Sequence, residues 1–186
     1  QTKPTSYSVE YYKDGAKVEA DSYSVNGTAW INEENPTIEV ERAIDAAGDK
    51  YVGYKLDSTE PADLPAAGEA VASGSVFKVK YVKDEGQTQP TSYTVKHVVG
   101  GVEMAADTKT YHSTAWINDE SPEIAIQEGS LAQNTYAGYK YTGTQPSAVG
   151  EKVASGATIS LIYVRDDGQT KPTSYSVEYY KDGAKV

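Results

Sequence analysis

The alternation of apolar and polar residues along the chain predicts β-strands. In the first such stretch, 7–12, apolar side chains occupy every second position, which is the period-two pattern of a half-buried strand. Asp14-Gly15 follows, a dipeptide typical of a two-residue hairpin turn because its backbone accepts positive φ. The chain is therefore expected to return as a second strand over about 17–25.

The same kind of pattern predicts three more strands in the first half of the chain. Ile38 and Val40 alternate with polar residues, 53–56 reads as a short fourth strand, and 77–81 is the clearest of the three. The stretch 58–72 is rich in Pro, Ala and Gly and is predicted to be a loop, with one helical turn as an option. Because no stretch shows a sustained 3.6-residue apolar period, we expect a mostly β fold. An α+β variant with one packed helix is the alternative.

The chain repeats itself, and the repeat defines its expected domains. Residues 1–18 return unchanged at 169–186, and a looser copy stands at 87–104. The period of about 85 residues is large enough for each copy to fold as its own small domain. We predict two tandem small β-rich domains arranged end to end, repeat 1 (1–86) and repeat 2 (87–168), with 169–186 as the start of a third repeat.

Short polar segments join the predicted repeats. The segments 84–92 and 166–174 are charged and contain Pro90 or Pro172, so they are expected to be semi-rigid linkers. The segment 169–186 has a first strand and a turn without a return strand, and a lone strand is unstable in water. It is expected to pair with the edge of repeat 2 or with a neighbouring molecule. Alternatively the structural unit is offset, and this strand completes repeat 2.

Composition limits the classes of partner. The formal net charge is −10, and an acidic chain repels phosphate backbones and anionic lipid, so no nucleic-acid partner is expected. The chain contains no cysteine, which excludes disulfides, thiolate nucleophiles and cysteine-ligated zinc. It contains no run of about 20 apolar residues, so no membrane insertion is expected within it. Its start at Gln1, without a leader, suggests a cut within a longer protein.

Candidate catalytic and metal-binding groups are few. His97 and His112 could bind zinc from adjacent strands, or they are ordinary histidines of a β-surface. Acidic pairs at 33–34 and 119–120 could coordinate calcium or contact sugar hydroxyls, or they are solvated turns. No serine lies in a nucleophile elbow, and nothing marks a carboxylate pair as that of a glycosidase. We expect no catalytic residue, no metal and no cofactor, and keep a glycan-processing enzyme as an alternative.

One block of five residues recurs unchanged, Thr-Ala-Trp-Ile-Asn at 28–32 and at 114–118. If exposed, Trp30 and Trp116 would offer an apolar platform for the flat face of a sugar. Three tyrosines off the predicted core face are ligand-binding candidates of the same kind: Tyr12, Tyr23 and Tyr51. The competing interpretation is that each tryptophan plugs the end of its own β-core. The retention of both apolar residues of the block favours the plug.

An intramolecular isopeptide cross-link between a lysine and an asparagine is a different candidate chemistry. The recurring candidate pairs are Lys55 with Asn32, and Lys140 with Asn118. Lys55 alternates with apolar neighbours and is expected to face solvent, which argues against the cross-link.

Four short motifs follow one another in the same order in both repeats: Tyr-x-Val-x-Tyr/His, a glycine turn, Gly-Tyr-Lys and a closing Tyr-Val. In repeat 1 their key residues are Tyr7, Val9, Tyr11, Gly15, Gly53, Tyr54, Tyr81 and Val82. In repeat 2 they are Tyr93, Val95, His97, Gly101, Gly138, Tyr139, Tyr163 and Val164. This order resembles the mucin-binding-protein-like repeats of Gram-positive surface proteins. The resemblance implies a β-grasp-like fold, tandem copies, export and attachment to the cell wall, and it supplies no catalytic or binding residue.

Two overlapping functions are expected of such repeats. A stalk of stacked repeats, each contacting its neighbours in the chain, would hold a tip domain away from the cell surface. An adhesive array would bind host mucin or other glycans and glycoproteins weakly at each copy and gain avidity from the number of copies. A purely structural spacer without a ligand is the alternative.

Overall fold

The computed structural model describes residues 1–186, and its regular structure is almost entirely β. The prediction of a mostly β fold is therefore confirmed. The α+β alternative is wrong, because the only helical segment is a three-residue 3-10 turn, Ala105–Asp107. No helix in the structure has both the length and the apolar character needed to cross a membrane.

Sixteen strands lie along the chain. Repeat 1 contains β1 (Thr2–Lys13), β2 (Ala16–Lys17), β3 (Tyr23–Trp30), β4 (Thr37–Glu39), β5 (Tyr54–Glu60), β6 (Ala70–Ala72) and β7 (Ser75–Lys83). Repeat 2 contains β8 (Thr88–Val99), β9 (Val102–Glu103), β10 (Lys109–Trp116), β11 (Glu123–Ala125), β12 (Tyr139–Gln145), β13 (Lys152–Ala154) and β14 (Ala157–Arg165). The last two are β15 (Tyr180–Lys181) and β16 (Ala184–Lys185). Repeat 2 thus reproduces repeat 1 strand for strand.

The main sheet of each repeat is mixed, with two parallel strands in its centre. In repeat 1, β1 runs parallel to β7, with Tyr7 opposite Ser75 at one end of the ladder and Lys13 opposite Tyr81 at the other. β2 and β3 pair antiparallel with β1, and β5 pairs antiparallel with β7. In repeat 2, β8 and β14 form the parallel pair, flanked by β9, β10 and β12. This is a β-grasp-like strand order without a helix.

The core of each repeat lies on one face of the two parallel strands. Tyr7, Val9 and Tyr11 of β1 are at most 2% exposed, and β7 contributes Val79 and Tyr81. The matching buried residues of repeat 2 are Tyr93, Val95, Ile159, Leu161 and Tyr163. The period-two alternation therefore predicted the buried face of both central strands.

The return strand predicted over 17–25 is broken into two pieces. β1 pairs first with β2 and then with β3, and the chain leaves the sheet between them. Ser22 fills the gap, because its hydroxyl accepts a hydrogen bond from Tyr11 N–H (3.1 Å) and donates one to Val18 O (2.8 Å). A serine side chain thus replaces a strand neighbour, which the apolar pattern alone does not reveal.

Most of the linker predicted between the repeats belongs to a strand. β8 begins at Thr88 and includes Pro90, just as β1 includes Pro4, which lies opposite Thr28 in the ladder. The fixed φ of proline suits extended backbone near the start of a strand. The linker prediction for 84–92 is therefore wrong beyond the first four residues. The predicted loop 58–72 is likewise bounded by strand, since β5 runs to its third residue and β6 occupies its last three.

The segment 169–186 forms only the two-residue ladder of β15 and β16 and is exposed throughout. It adds no strand to the sheet of repeat 2, whose own first strand is β8. Pairing with the edge of repeat 2 and the offset-unit alternative are both wrong for this reason. Pairing with a neighbouring molecule stays a prediction.

The chain forms two compact units whose boundaries interleave. Unit 1 consists of Gln1–Pro90 together with Thr114–Glu120, and unit 2 consists of Thr91–Ser113 together with Ser121–Val186. The second copy of the Thr-Ala-Trp-Ile-Asn block therefore belongs to unit 1. The division into independently folding domains at 1–86, 87–168 and 169–186 stays a prediction.

Candidate functional site

The Thr-Ala-Trp-Ile-Asn block ends a strand in both repeats and is held there by the same two backbone hydrogen bonds. In repeat 1 the Ile31 N–H donates to Gln1 O (3.1 Å), and Glu33 N–H donates to Trp30 O (3.0 Å) to close a turn. The corresponding distances in repeat 2 are 2.9 Å and 3.0 Å. Because the backbone presents both tryptophans in the same way, differences between them come from their surroundings.

Trp116 is packed against other residues of unit 1. Its indole Nε1–H donates to Gly53 O at 3.0 Å, and its ring meets the ring of Tyr54 edge to face, with centroids 5.5 Å apart. The Lys83 ammonium lies 4.9 Å from the centroid of the indole. A backbone hydrogen bond, an aromatic contact and a cation–π contact therefore fix this side chain from three directions.

Asn118 extends the same contact by two residues. Its side-chain Nδ2 donates to Val52 O at 2.6 Å, next to the carbonyl that Trp116 uses. A Cβ on Gly53 would lie 2.3 Å from Asn118 Nδ2 and 3.0 Å from Trp116 Cζ2, and φ of Gly53 is +84°. Glycine is thus required at this position both for the left-handed backbone and for the close approach of the block.

Gln87 holds the Gly53 turn in the shape that receives the block. Its Oε1 accepts a hydrogen bond from Gly53 N–H (2.8 Å), and its Nε2 donates to Tyr54 O (3.0 Å) and to Asp84 Oδ2 (3.1 Å). Hydrogen bonds from Gln87 and from the Gly86 N–H lower the pKa of Asp84, so this carboxylate stays ionised and accepting. We call the turn 52–54, with its Gln87 support, the receptor turn.

Trp30 has no such surroundings. Its side chain is 61% exposed, and the neighbouring Ile31 is 41% exposed. Neither tryptophan belongs to the core cluster of its own repeat. The core-plug interpretation is therefore wrong: Trp116 packs on the receptor turn, and Trp30 faces solvent. The structure leaves Trp30 as the exposed member of the candidate ligand-binding residues.

The three candidate tyrosines do not gather around Trp30. Tyr23 and Tyr51 pack at the edge of the repeat 1 core, and the Tyr51 hydroxyl donates to Asp21 at 2.6 Å. Burial, followed by the hydrogen bond to Asp21, raises the pKa of Tyr51. Tyr12 lies on the opposite face of β1, where its hydroxyl donates to Glu10 at 3.1 Å. Tyr23 and Tyr51 therefore contribute to packing at the core edge.

The two histidines lie on opposite faces of the repeat 2 sheet. His97 takes the core position that Tyr11 has in repeat 1, and its Nδ1 lies 3.1 Å from the Tyr163 hydroxyl. Burial lowers its pKa, which keeps the imidazole neutral at neutral pH. His112 is exposed, whereas Tyr111 beside it packs on the core. The zinc alternative for this histidine pair is therefore wrong, because the rings do not converge.

The acidic turns 33–34 and 119–120 are exposed and follow the tryptophan block directly. No group of three or more His, Cys, Asp or Glu side chains in the chain is placed to hold a metal ion. Lys55 is exposed, as its alternation predicts, and the Asn118 amide is engaged by Val52 O. The isopeptide cross-link, against which the sequence argued, stays an untested alternative.

Sequence reasoning missed the partners of the block, namely Gly53, Lys83 and Gln87. A signal for them exists in the sequence. Each repeat that carries the block also carries a Gly-Tyr-Lys motif, and an Asp-x-Gly-Gln motif precedes the next copy, at 84–87 and 166–169. Recurrence of these motifs in the same order indicates residues that act together, although it does not say that they touch.

Fold and surface together define a tandem all-β repeat protein in which an aromatic block of one repeat packs on a turn of the preceding one. No family model matches the chain. No curated protein matches it either. Among solved structures, the chain is similar to the type 2 repeat of the mucus-binding protein MUB from Lactobacillus reuteri. The two are 17% identical over 87% of this chain and 100% of the other, with a TM-score of 0.28, too low to support an argument about fold or function.

Proposed function

We propose that the chain is a run of non-catalytic tandem repeats from an exported bacterial cell-surface adhesin, attached to the cell wall, and that it acts there as a stalk. The single observation that carries this proposal is the packing of Thr114–Glu120 on 52–54 within unit 1. A segment of one sequence repeat thereby becomes part of a compact unit built mainly from the repeat before it. In linear arrays, such nearest-neighbour contacts supply much of the stability.

The contacts of the block with the receptor turn fix its orientation on the turn as well as its distance from it. The Trp116 indole and the Asn118 amide each donate to a backbone carbonyl of the receptor turn. Hydrogen bonds weaken steeply when they bend, so two of them to neighbouring carbonyls hold the block in one orientation on the receptor turn. A polar tether between repeats would instead coil, and its reach would grow only as the square root of its length.

The stalk proposal is tested by reach. One, two and four copies of residues 1–168 are placed between a surface anchor and a small epitope on bacteria. Binding of a bead-coupled antibody is expected to rise with copy number more steeply than for Gly/Ser linkers of equal length, because those linkers are flexible coils. Flow cytometry measures the bound beads. Equal curves for repeats and linkers would contradict the stalk.

Weak multivalent binding of host mucin glycans or glycoproteins is the second candidate, and the exposure of Trp30 favours it. Its 61% exposed indole, with Ile31 beside it, forms an apolar surface of the kind that stacks on a sugar ring. One such site binds weakly, but several copies on one cell gain avidity through effective concentration.

The glycan candidate predicts that Trp30→Ala abolishes retention of the full chain on an immobilised mucin film, measured by surface plasmon resonance. Val76→Ala is the matched control, because Val76 is also an exposed apolar residue, at 45%, and lies on a different strand. Unchanged retention of Trp30→Ala would remove Trp30 as a glycan platform. Equal loss in both variants would indicate non-specific adsorption.

A further inference from the structure

The block that contains the exposed Trp30 has a second copy in the chain, and the structure shows what that second copy packs against. Residues 28–32 and 114–118 are identical in sequence and share the same backbone hydrogen bonds. The second copy packs on the receptor turn of unit 1 through Trp116 and Asn118. Trp30 and Asn32 present the same groups in the same backbone setting, and both residues are exposed.

Unit 2 contains a second receptor turn, at 137–139, that is already in its receiving shape. Gly138 N–H donates to Gln169 Oε1 at 2.8 Å, and Gln169 Nε2 donates to Tyr139 O at 3.2 Å and to Asp166 Oδ2 at 3.0 Å. Gln87 makes the equivalent three hydrogen bonds in unit 1, at nearly the same distances. φ of Gly138 is +82°, close to the +84° of Gly53.

The second receptor turn is open. A Cβ on Gly138 would meet no atom within 4 Å, whereas a Cβ on Gly53 would collide with Asn118. Arg165 occupies the position that Lys83 has in repeat 1, and its guanidinium is exposed. Arginine makes cation–π contacts at least as readily as lysine. One chain therefore carries, on separate units, an uncovered block and an uncovered turn that match a pair already seen in contact.

We propose that Trp30, Ile31 and Asn32 form a docking surface whose occupant is the 137–139 receptor turn of a second copy of this repeat chain. Trp30 Nε1–H donates to Gly138 O, and Asn32 Nδ2 donates to Ala137 O, as Trp116 and Asn118 do to the first turn. Arg165 lies over the indole in place of Lys83.

The contact is head to tail, so each docked copy leaves a free block at one end and a free turn at the other. This inference rests on the proposed stalk function, since the docked contact would connect successive copies of the array. The surface is small, so free chains are expected to dock weakly. Copies joined in one polypeptide are expected to dock through high effective concentration.

The sequence itself permits a direct test. Because 169–186 is identical to 1–18, residues 1–168 can be joined to a full chain without altering the sequence across the junction. In this fusion the second copy's Trp30 should lie on the first copy's receptor turn. With ¹⁵N-labelled tryptophan, the indole N–H of that Trp30 is expected to exchange with solvent at least about tenfold more slowly than Trp30 of the single chain, because a hydrogen-bonded N–H must first open.

A matched pair of substitutions identifies the occupant. Gly138→Asn in the first copy places a side chain where Asn32 would lie, and asparagine tolerates the left-handed backbone. Gly156→Asn is the control, because Gly156 has φ +86° and open space but lies on another turn. Gly138→Asn is expected to restore fast exchange of the second Trp30, and Gly156→Asn to leave it slow. Unchanged hydrogen exchange of the β8 and β14 amides of the first copy, which lie in the same unit as both glycines, shows that the variants are folded.

Two results would overturn the docking surface. Exchange of the second Trp30 that is as fast in the fusion as in the single chain means that nothing docks there. Slow exchange that persists in Gly138→Asn means that something other than the receptor turn covers the indole. Neither result depends on the antibody-bead experiment that tests the stalk. The two experiments together therefore distinguish a stalk whose copies do not dock in this way from copies that dock without forming a stalk.

Discussion

Leu161→Ala is expected to lower the free energy of unfolding of unit 2 by about 2–5 kcal/mol, the usual range for truncating a buried leucine. Leu161 is fully buried on β14, in the middle of the parallel ladder, opposite His97 of β8. The substitution removes three carbons from a core that also includes Ile159 and Tyr163, and strands held by ladders on both sides cannot close the resulting cavity completely. Hydrogen exchange of the β8 and β14 amides measures the change.

Val164→Ala is the control on the same strand, because Val164 is 39% exposed. Its effect is expected to stay within about 0.5 kcal/mol, as for surface substitutions in general. The amides of β1 and β7 in unit 1 report whether the loss is confined to unit 2. A loss below about 1 kcal/mol for Leu161→Ala would be inconsistent with a packed core around β14.

The strands that the sequence predicted best are those whose two faces meet different environments. β1 and β7 each bury one face, so their apolar residues alternate visibly, and Tyr7 to Tyr11 and Phe77 to Tyr81 were assigned correctly. The parallel pairing of β1 with β7 was not predictable. Its partners lie about 70 residues apart, and nothing in a local apolar pattern encodes which distant strand lies alongside.

The sequence identified candidate residues for the site but not how they are arranged in space. The recurrence of the Trp block drew attention to Trp30 and Trp116, and the same environment was predicted for both. In the structure their environments differ, because Trp116 is packed and Trp30 is exposed. The difference arises because Trp116 packs on a turn of repeat 1, whereas Trp30 has no such turn beside it and is exposed. Contacts of this kind depend on the neighbouring copy and leave no periodic pattern near the block itself.

Trp116→Ala is expected to lower the free energy of unfolding of unit 1 by about 1–3 kcal/mol, because one residue supplies several contacts. The hydrogen bond to Gly53 O contributes about 0.5–1.5 kcal/mol, the edge contact with Tyr54 about the same, and the cation–π contact with Lys83 about 0.5–1 kcal/mol. These contributions overlap and are not additive, so the expected loss is below their largest sum. Hydrogen exchange of the Gly53 and Tyr54 amides is the most direct measurement.

Trp30→Ala is the matched control, since it makes the same chemical change in the same backbone setting and removes an indole that is 61% exposed. Its effect on unit 1 is expected to stay within about 0.5 kcal/mol, as for an exposed side chain without partners. Equal losses for the two variants would mean that the tryptophans act through their own strands, and the receptor turn would then have no part in stability. A clear difference would instead assign the stabilisation to the contact with the turn. In the two-copy fusion, the second copy's Trp30 is expected to pack on a receptor turn. Trp30→Ala in that copy is then expected to lower the free energy of unfolding as much as Trp116→Ala does.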